Sequence, residues 1–162
     1  PIGPKVRNLN HNGPQGMNQI ADWVARGILV DVPSTPPVMA KAYDPSASLT
    51  EQARAYLDIY CAHCHKSTGS ASNSGLWLEW DVEDAIKWGI GKHPTAAGRG
   101  AGDALVVIKP GEPERSILAY RMASDQAGIA MPELGRVLID EEGVALIEAW
   151  ISEMDPDATT VH

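Results

Sequence analysis

The spacing of apolar residues predicts two long amphipathic helices. The first begins with a capping box formed by Ser48 and Glu51, and its apolar positions are Leu49, Ala53, Tyr56, Leu57 and Tyr60. The second begins near Asp140, has two acidic residues in its first turn and ends at Pro156. Its apolar face consists of Gly143, Ile147, Trp150, Ile151 and Met154.

Three shorter helices are predicted elsewhere in the chain. One runs from Asn18, a suitable N-cap, to about Leu29, with Ile20, Trp23, Val24 and Ile28 on one face. Another covers residues 81–88 and stops at Gly89. The third follows Pro113 for roughly ten residues, with Ile117, Leu118 and Tyr120 facing inward. Since only residues 105–108 suggest a strand, the sequence predicts a mainly α fold.

Breaker residues divide the chain into unequal parts. Four prolines between residues 30 and 45 indicate a linker or a strap that lies over another element. We therefore predict an N-terminal extension over residues 1–46, a helical domain over 47–156 and a short tail over 157–162. Burial of Trp23 and Ile28 against residues 48–154 would indicate that the extension covers the domain.

Charge narrows the classes of partner. The 162 residues carry a formal net charge of −8 and give a pI near 5.0, which argues against nucleic acid and anionic membranes. No apolar run is long enough to span a bilayer, and no signal peptide is visible. Because the chain begins at Pro1 instead of Met, we expect a processed or truncated product.

The residues that follow the predicted helix at 48–60 carry the clearest chemical signal. Cys61-Ala62-His63-Cys64-His65 is the C-x-x-C-H pattern of covalent haem attachment. In this pattern each thiol binds a haem vinyl group, and the histidine is the axial ligand of the iron. The motif therefore predicts one haem c on Cys61, Cys64 and His65, and it uses both cysteines of the chain.

Two other readings of the cysteines remain open. A redox dithiol usually lies at a helix N-terminus after a strand, whereas a helix is predicted before Cys61. A zinc site requires two further ligands, and His11, His93 and His162 show no paired spacing. Haem attachment is the favoured interpretation of the two cysteines.

The second axial ligand of such a haem decides between an electron carrier and an enzyme. Met131 is the main candidate because it lies in a predicted loop and precedes Pro132, which restricts the backbone. Met154 lies on an apolar helix face and fits the core, Met122 fits either role, and His93 in the glycine-rich loop is the alternative ligand.

The order of helix, C-x-x-C-H, loops, Met-Pro and terminal helix resembles class I c-type cytochromes. The segments KPGEPERSILAYRM and MPELGRVLIDEEGVALIEAWI look like haem domains of large bacterial multidomain c-type proteins. GPKVRNLN, NQIADWVARG and ARAYLDIYCAHCH are similar to the C-terminal part of a family of predicted bacterial dihaem c-type cytochromes. This chain has one C-x-x-C-H, so a second haem would lie upstream of it.

The resemblance implies a class I cytochrome c-like fold with a monohaem domain over residues 47–156. Its first and last helices would cross at near right angles, with Ala53, Leu57 and Trp150 at the contact. It also implies a periplasmic or otherwise extracytoplasmic location in bacteria. For the haem propionates the candidate partners are Arg99, Trp77 and Tyr120, followed by Arg115, Arg121 and Trp80.

Three functions remain in competition at this point. A haem ligated by His65 and Met131 predicts electron transfer between redox partner proteins, without catalysis. A haem with an open sixth position would instead be a peroxidase-like enzyme or a ligand-binding sensor, with His93 or Glu133 as the distal group. The third is a docked subunit of a larger redox assembly, held through the extension.

Overall fold

The structure, a computed structural model, describes residues 5–157 and consists of short helices joined by long loops. The α-helices in this range are α1 (Val6–Leu9), α2 (Gln19–Ala25), α3 (Leu49–Tyr60), α4 (Ala85–Trp88), α5 (Ile117–Ala123) and α6 (Glu141–Glu153). Three 3₁₀ turns cover Ser72–Ser74, Gly98–Ala101 and Pro113–Arg115. Residues 5–157 contain no strand, and residues 105–108 contribute only isolated bridges. The mainly α prediction is confirmed.

The two long helices begin where the sequence predicted. Ser48 caps α3 through a complete capping box, in which Ser48 Oγ accepts from the Glu51 amide and Glu51 accepts from the Ser48 amide. Asp140 caps α6 by accepting from the amide of Gly143 at 3.0 Å. None of the helices within residues 5–157 combines the length and apolarity needed to cross a bilayer.

Packing of α3 against α6 forms the centre of the core. The side chains of Ala53, Leu57 and Ile147 are fully buried there, and Trp150 is nearly so. The tightest approach lies at Gly143, where an added Cβ would be 2.3 Å from Tyr56 Oη. Ala53 was predicted to be the small residue that allows the two helices to cross closely. The structure shows that Gly143 of α6 also has no room for a side chain.

A polar contact accompanies this close approach. Tyr56 Oη donates to Asp140 Oδ2 at 2.8 Å, so the residue that caps α6 also binds a side chain of α3. Burial, and then this hydrogen bond, raises the pKa of Tyr56 above its ordinary value. The phenol therefore stays a neutral donor.

The shorter helices differ from their predicted limits. Helix α2 ends at Ala25, and α4 covers only the second half of the range predicted from residue 81. The helix predicted from Pro113 is interrupted at Ser116, which is extended and buried. Its hydroxyl accepts from the Lys109 amide at 2.8 Å, so local hydrogen bonds outcompete helix continuation. Tyr120, predicted to face inward, is 38% exposed.

The N-terminal extension contacts the helical domain through charged groups. Asp58 of α3 has a fully buried side chain, and its Oδ1 accepts from Lys5 at 2.9 Å and Arg7 at 2.7 Å. The same oxygen accepts from the amide of Trp80 at 3.0 Å. In the proline-rich segment Met39 is buried, and its amide donates to the Arg7 carbonyl at 3.2 Å. The burial that would indicate a covering role is not found, because Ile28 is 61% exposed and Trp23 is only partly buried.

The environment of Asp58 favours its charged form. Burial raises the pKa of the carboxyl, but hydrogen bonds from Arg7, Lys5 and the Trp80 amide outweigh burial, and the net pKa lies below the ordinary value of 3.8. The unfolded chain therefore binds a proton at higher pH than the folded chain. Stability contributed by Asp58 is complete above pH 3.8 and is lost as the pH falls through the folded pKa.

Replacing Asp58 tests this anchor. We expect Asp58→Asn to lower the free energy of unfolding at neutral pH by about 1–3 kcal/mol, because two cations lose their charged acceptor. Its stability should also vary less with pH below 4 than that of the unmodified chain. Urea unfolding at a series of pH values measures both effects. The exposed Asp103→Asn variant is the control, and equal behaviour of the two variants would contradict the anchor.

Candidate functional site

The C-x-x-C-H motif begins where α3 ends. The Cys61 amide donates to the Leu57 carbonyl at 2.9 Å, so the first cysteine continues the helical bonding. The amides of Cys64 and His65 then donate back to the Cys61 carbonyl at 3.1 and 2.9 Å. A single turn that continues from α3 therefore carries both cysteines, and the two cysteines are free thiols.

The protonation of Cys61 differs from that of a redox dithiol. Burial, and then the nearby charge of Cys64, raises the pKa of the Cys61 thiol to about 12. A nucleophilic dithiol needs a lowered pKa so that one sulfur is a thiolate near neutral pH. Within residues 5–157 no three side chains of His, Cys, Asp or Glu gather in a metal-binding group. The raised pKa of Cys61 does not favour a redox dithiol, and the lack of such a group among these residues does not favour a zinc site.

A compact loop follows the motif and folds back onto it. The Ala71 amide donates to the Cys64 carbonyl at 3.1 Å, and the Leu78 amide donates to the His65 carbonyl at 2.9 Å. Gly69 packs so closely against the Cys64 carbonyl that an added Cβ would lie 2.1 Å from its oxygen. Any side chain at position 69 would push this loop away from the motif.

The hydrogen bonds of His65 assign its tautomer. His65 Nδ1 lies 3.2 Å from Ser74 Oγ, and the Ser74 hydroxyl donates its only proton to the Ala71 carbonyl at 2.6 Å. His65 Nδ1 must therefore carry the hydrogen and donate to Ser74. The lone pair of the neutral ring then lies on Nε2, which is the atom that an axial ligand of iron needs.

The surroundings also favour a neutral ring. Burial, and then the positive charges of Arg121 and His63, lowers the pKa of His65 below its ordinary value of 6.5. Only a neutral imidazole binds a metal ion, so this shift agrees with a ligand role.

The loop of Met131 is held by two arginines. The Met131 amide donates to the Arg121 carbonyl at 2.9 Å, and Arg121 Nε donates to the Ile129 carbonyl at 2.8 Å. Arg136 Nη1 donates to the carbonyls of Met131 at 2.9 Å and Met122 at 2.6 Å. The Arg121 charge also lowers the pKa of His65, so Arg121 binds the loop of one predicted iron ligand and acts electrostatically on the other.

The predicted propionate partners lie in less enclosed positions. Arg99 is exposed in its 3₁₀ turn, whereas the next residue, Gly100, is buried against the guanidinium of Arg121. Trp77 is half-buried, with its ring 3.9 Å from Lys87 Nζ. Tyr120 packs its ring over Gly102. Of the predicted cations, Arg121 binds the backbone of the Met131 loop, and the roles of Arg99, Trp77 and Tyr120 stay predictions.

The alternative ligand His93 belongs to another part of the surface. Its Nδ1 lies 3.0 Å from the Leu105 carbonyl. It lines a cavity of about 300 Å³ together with Gly91, Leu105, Val106, Lys109, Pro110 and Arg115. No motif residue lines this cavity, and the choice of Met131 over His93 as the second ligand stays a prediction.

Comparison with known proteins gives no family assignment. No family model, no curated protein and no solved structure matches the chain.

Three residues that hold the site were not found from the sequence. Gly69 packs against the Cys64 carbonyl. Ser74 accepts a hydrogen bond from His65, and Arg136 donates one to the Met131 carbonyl. Ser74 lies among other small polar residues, and its spacing from the motif does not set it apart. The sequence around Arg136 is typical of a solvent-exposed charge. Only Gly69 carries a signal, since a glycine in a short loop after a motif often marks a close approach.

A methyl group at position 69 tests the folded-back loop. We expect Gly69→Ala to destabilise the protein by about 1–3 kcal/mol, because Cβ would overlap the Cys64 carbonyl and the backbone must shift. Denaturant unfolding measures the change. The control is Gly13→Ala, where the nearest atom would lie at an ordinary 3.7 Å. An equal loss in both variants would contradict the close approach.

Proposed function

We propose that the protein is a c-type cytochrome that carries one covalent haem and transfers single electrons. Cys61 and Cys64 would hold the haem through thioether bonds, and His65 and Met131 would be the axial ligands. The observation that carries the proposal is the pairing of the C-x-x-C-H motif with the hydrogen bond from His65 Nδ1 to Ser74, which leaves Nε2 free to bind iron.

Other contacts fit the same group. Both cysteines are free thiols on one turn, as attachment to two vinyl groups requires. The loop held by Gly69 keeps that turn in place from one side, and α3 fixes it from the other. These residues bind and orient the haem, and none of them needs to take part in a bond-breaking step after attachment.

Electron transfer is favoured over catalysis by the way Met131 is held. A haem with two axial protein ligands supplies a ferric–ferrous couple and has no open position for a substrate. Arg121 and Arg136 bind the backbone on both sides of Met131, so the loop that bears the thioether has little freedom to move away. A thioether is a weak ligand, and a fixed loop would limit its loss from the iron.

The partners follow from the charge and from the class resemblance. A net charge of −8 suits a redox partner protein with a basic surface, because complementary charge speeds encounter. The resemblance to bacterial c-type cytochromes suggests an extracytoplasmic protein that is part of a larger redox protein or assembly. We place this chain as an electron carrier and not as an enzyme.

Covalent attachment is the first test. The chain should be exported behind an added signal peptide in bacteria that attach haem c and then denatured, and its mass should exceed the polypeptide mass by one haem. The Cys61→Ser/Cys64→Ser double variant should lack the added mass because neither thioether can form. His63→Ala changes an exposed residue between the two cysteines and should keep the haem. An unmodified chain without the added mass would overturn the proposal.

Ligation by Met131 is the second test. We expect the reduced protein to bind carbon monoxide poorly and the ferric protein to show the weak far-red band that the class resemblance implies. Met131→Ala should lose the band and bind carbon monoxide readily, because the sixth position opens. Met17→Ala, at an exposed methionine of the extension, should behave like the unmodified chain. Ready carbon monoxide binding by the unmodified protein would favour the enzyme or sensor reading instead.

A further inference from the structure

We propose that Ser74 is a positioning residue that sets the reduction potential of the site through His65. This inference rests on the proposed haem function, since the potential belongs to the iron that His65 would bind. It assigns a role to a residue whose hydroxyl touches neither thiol and only one of the proposed ligands.

The hydroxyl of Ser74 has every hydrogen-bonding position filled. A hydroxyl has one proton and two acceptor lone pairs. Its proton goes to the Ala71 carbonyl at 2.6 Å, and its lone pairs accept from the Leu76 amide at 3.2 Å and from His65 Nδ1 at 3.2 Å. With no spare donor, Ser74 cannot donate to His65, and the direction of their hydrogen bond is fixed.

Loss of the hydroxyl would change the ligand strength of His65. Donation from Nδ1–H to an acceptor leaves more electron density on the ring, so Nε2 becomes a better donor to iron and stabilises the ferric state. The acceptor strength of Ser74 is increased by its own short bond to Ala71, because linked hydrogen bonds polarise one another. The hydroxyl therefore holds the potential lower than an apolar side chain would.

The same serine is tied to the turn that bears the thiols. Ala71 accepts the Ser74 proton at its carbonyl and donates its own amide to the Cys64 carbonyl at 3.1 Å. The acceptor for His65 is thus fixed relative to the motif by two consecutive hydrogen bonds. Ser74 controls the rotation of the imidazole ring as well as its tautomer.

Three variants of the haem-loaded protein test the role of this hydroxyl. We expect Ser74→Ala to raise the midpoint potential and to speed exchange of the His65 Nδ1 proton, read by ¹H–¹⁵N NMR of the ferrous protein. Ser74→Thr keeps a hydroxyl and should stay close to the unmodified protein. Ser72→Ala removes an exposed hydroxyl from the same 3₁₀ turn and should change neither reading.

The outcomes separate this inference from the proposed function. If the unmodified chain attaches no haem, the proposed function fails and this inference fails with it. If haem is attached but Ser74→Ala matches Ser72→Ala, or Ser74→Thr shifts the potential as much as Ser74→Ala, only the role of Ser74 is overturned. If the Ser74→Ala variant attaches no haem, exchange of the His65 Nδ1 proton in the unmodified ferrous protein is the deciding measurement. A slowly exchanging Nδ1 proton supports the proposal, and a rapidly exchanging one overturns it.

Discussion

The close approach of α3 and α6 at Gly143 is the constraint on which the rest of the molecule depends. Because this position lacks a side chain, Tyr56 fits against α6 and binds Asp140, the residue that starts that helix. The approach thereby fixes α3, whose last turn leads directly into Cys61. It also fixes Asp58, the acceptor that anchors the extension. One helix thus carries the motif and the anchor, and one glycine decides where that helix lies.

Backbone carbonyls organise the candidate site more than direct contacts between side chains do. The Cys64 carbonyl receives the returning loop, the Ala71 carbonyl orients the serine that binds His65, and the carbonyls around Met131 are held by arginines. Such an arrangement fixes the backbone on each side of the ligands while leaving the reactive atoms of Cys61, Cys64 and His65 unbonded to one another. That combination suits a site that receives a large planar group.

Features that depend on near neighbours in sequence were predictable. The capping box at Ser48, the cap at Asp140 and the position of the motif after a helix all follow from residues a few places apart. The break at Ser116 and the exposed face of α2 were missed, because competing hydrogen bonds and tertiary packing override helical periodicity. The anchor at Asp58 was missed for a related reason, since nothing near Asp58 marks Lys5 and Arg7 as its partners 53 and 51 residues away.

The distances along the chain imply an order of assembly. His65 and Ser74 are nine residues apart, whereas Tyr56 and Asp140 are separated by 84. Closing a flexible segment costs entropy that grows with the logarithm of its length, so the longer closure costs about 2 kcal/mol more. The turn that bears the thiols and its returning loop can form from local contacts alone, before the terminal helix docks. Any chemistry on the cysteines that precedes docking of the terminal helix would therefore meet an already shaped segment of a chain that has not finished folding.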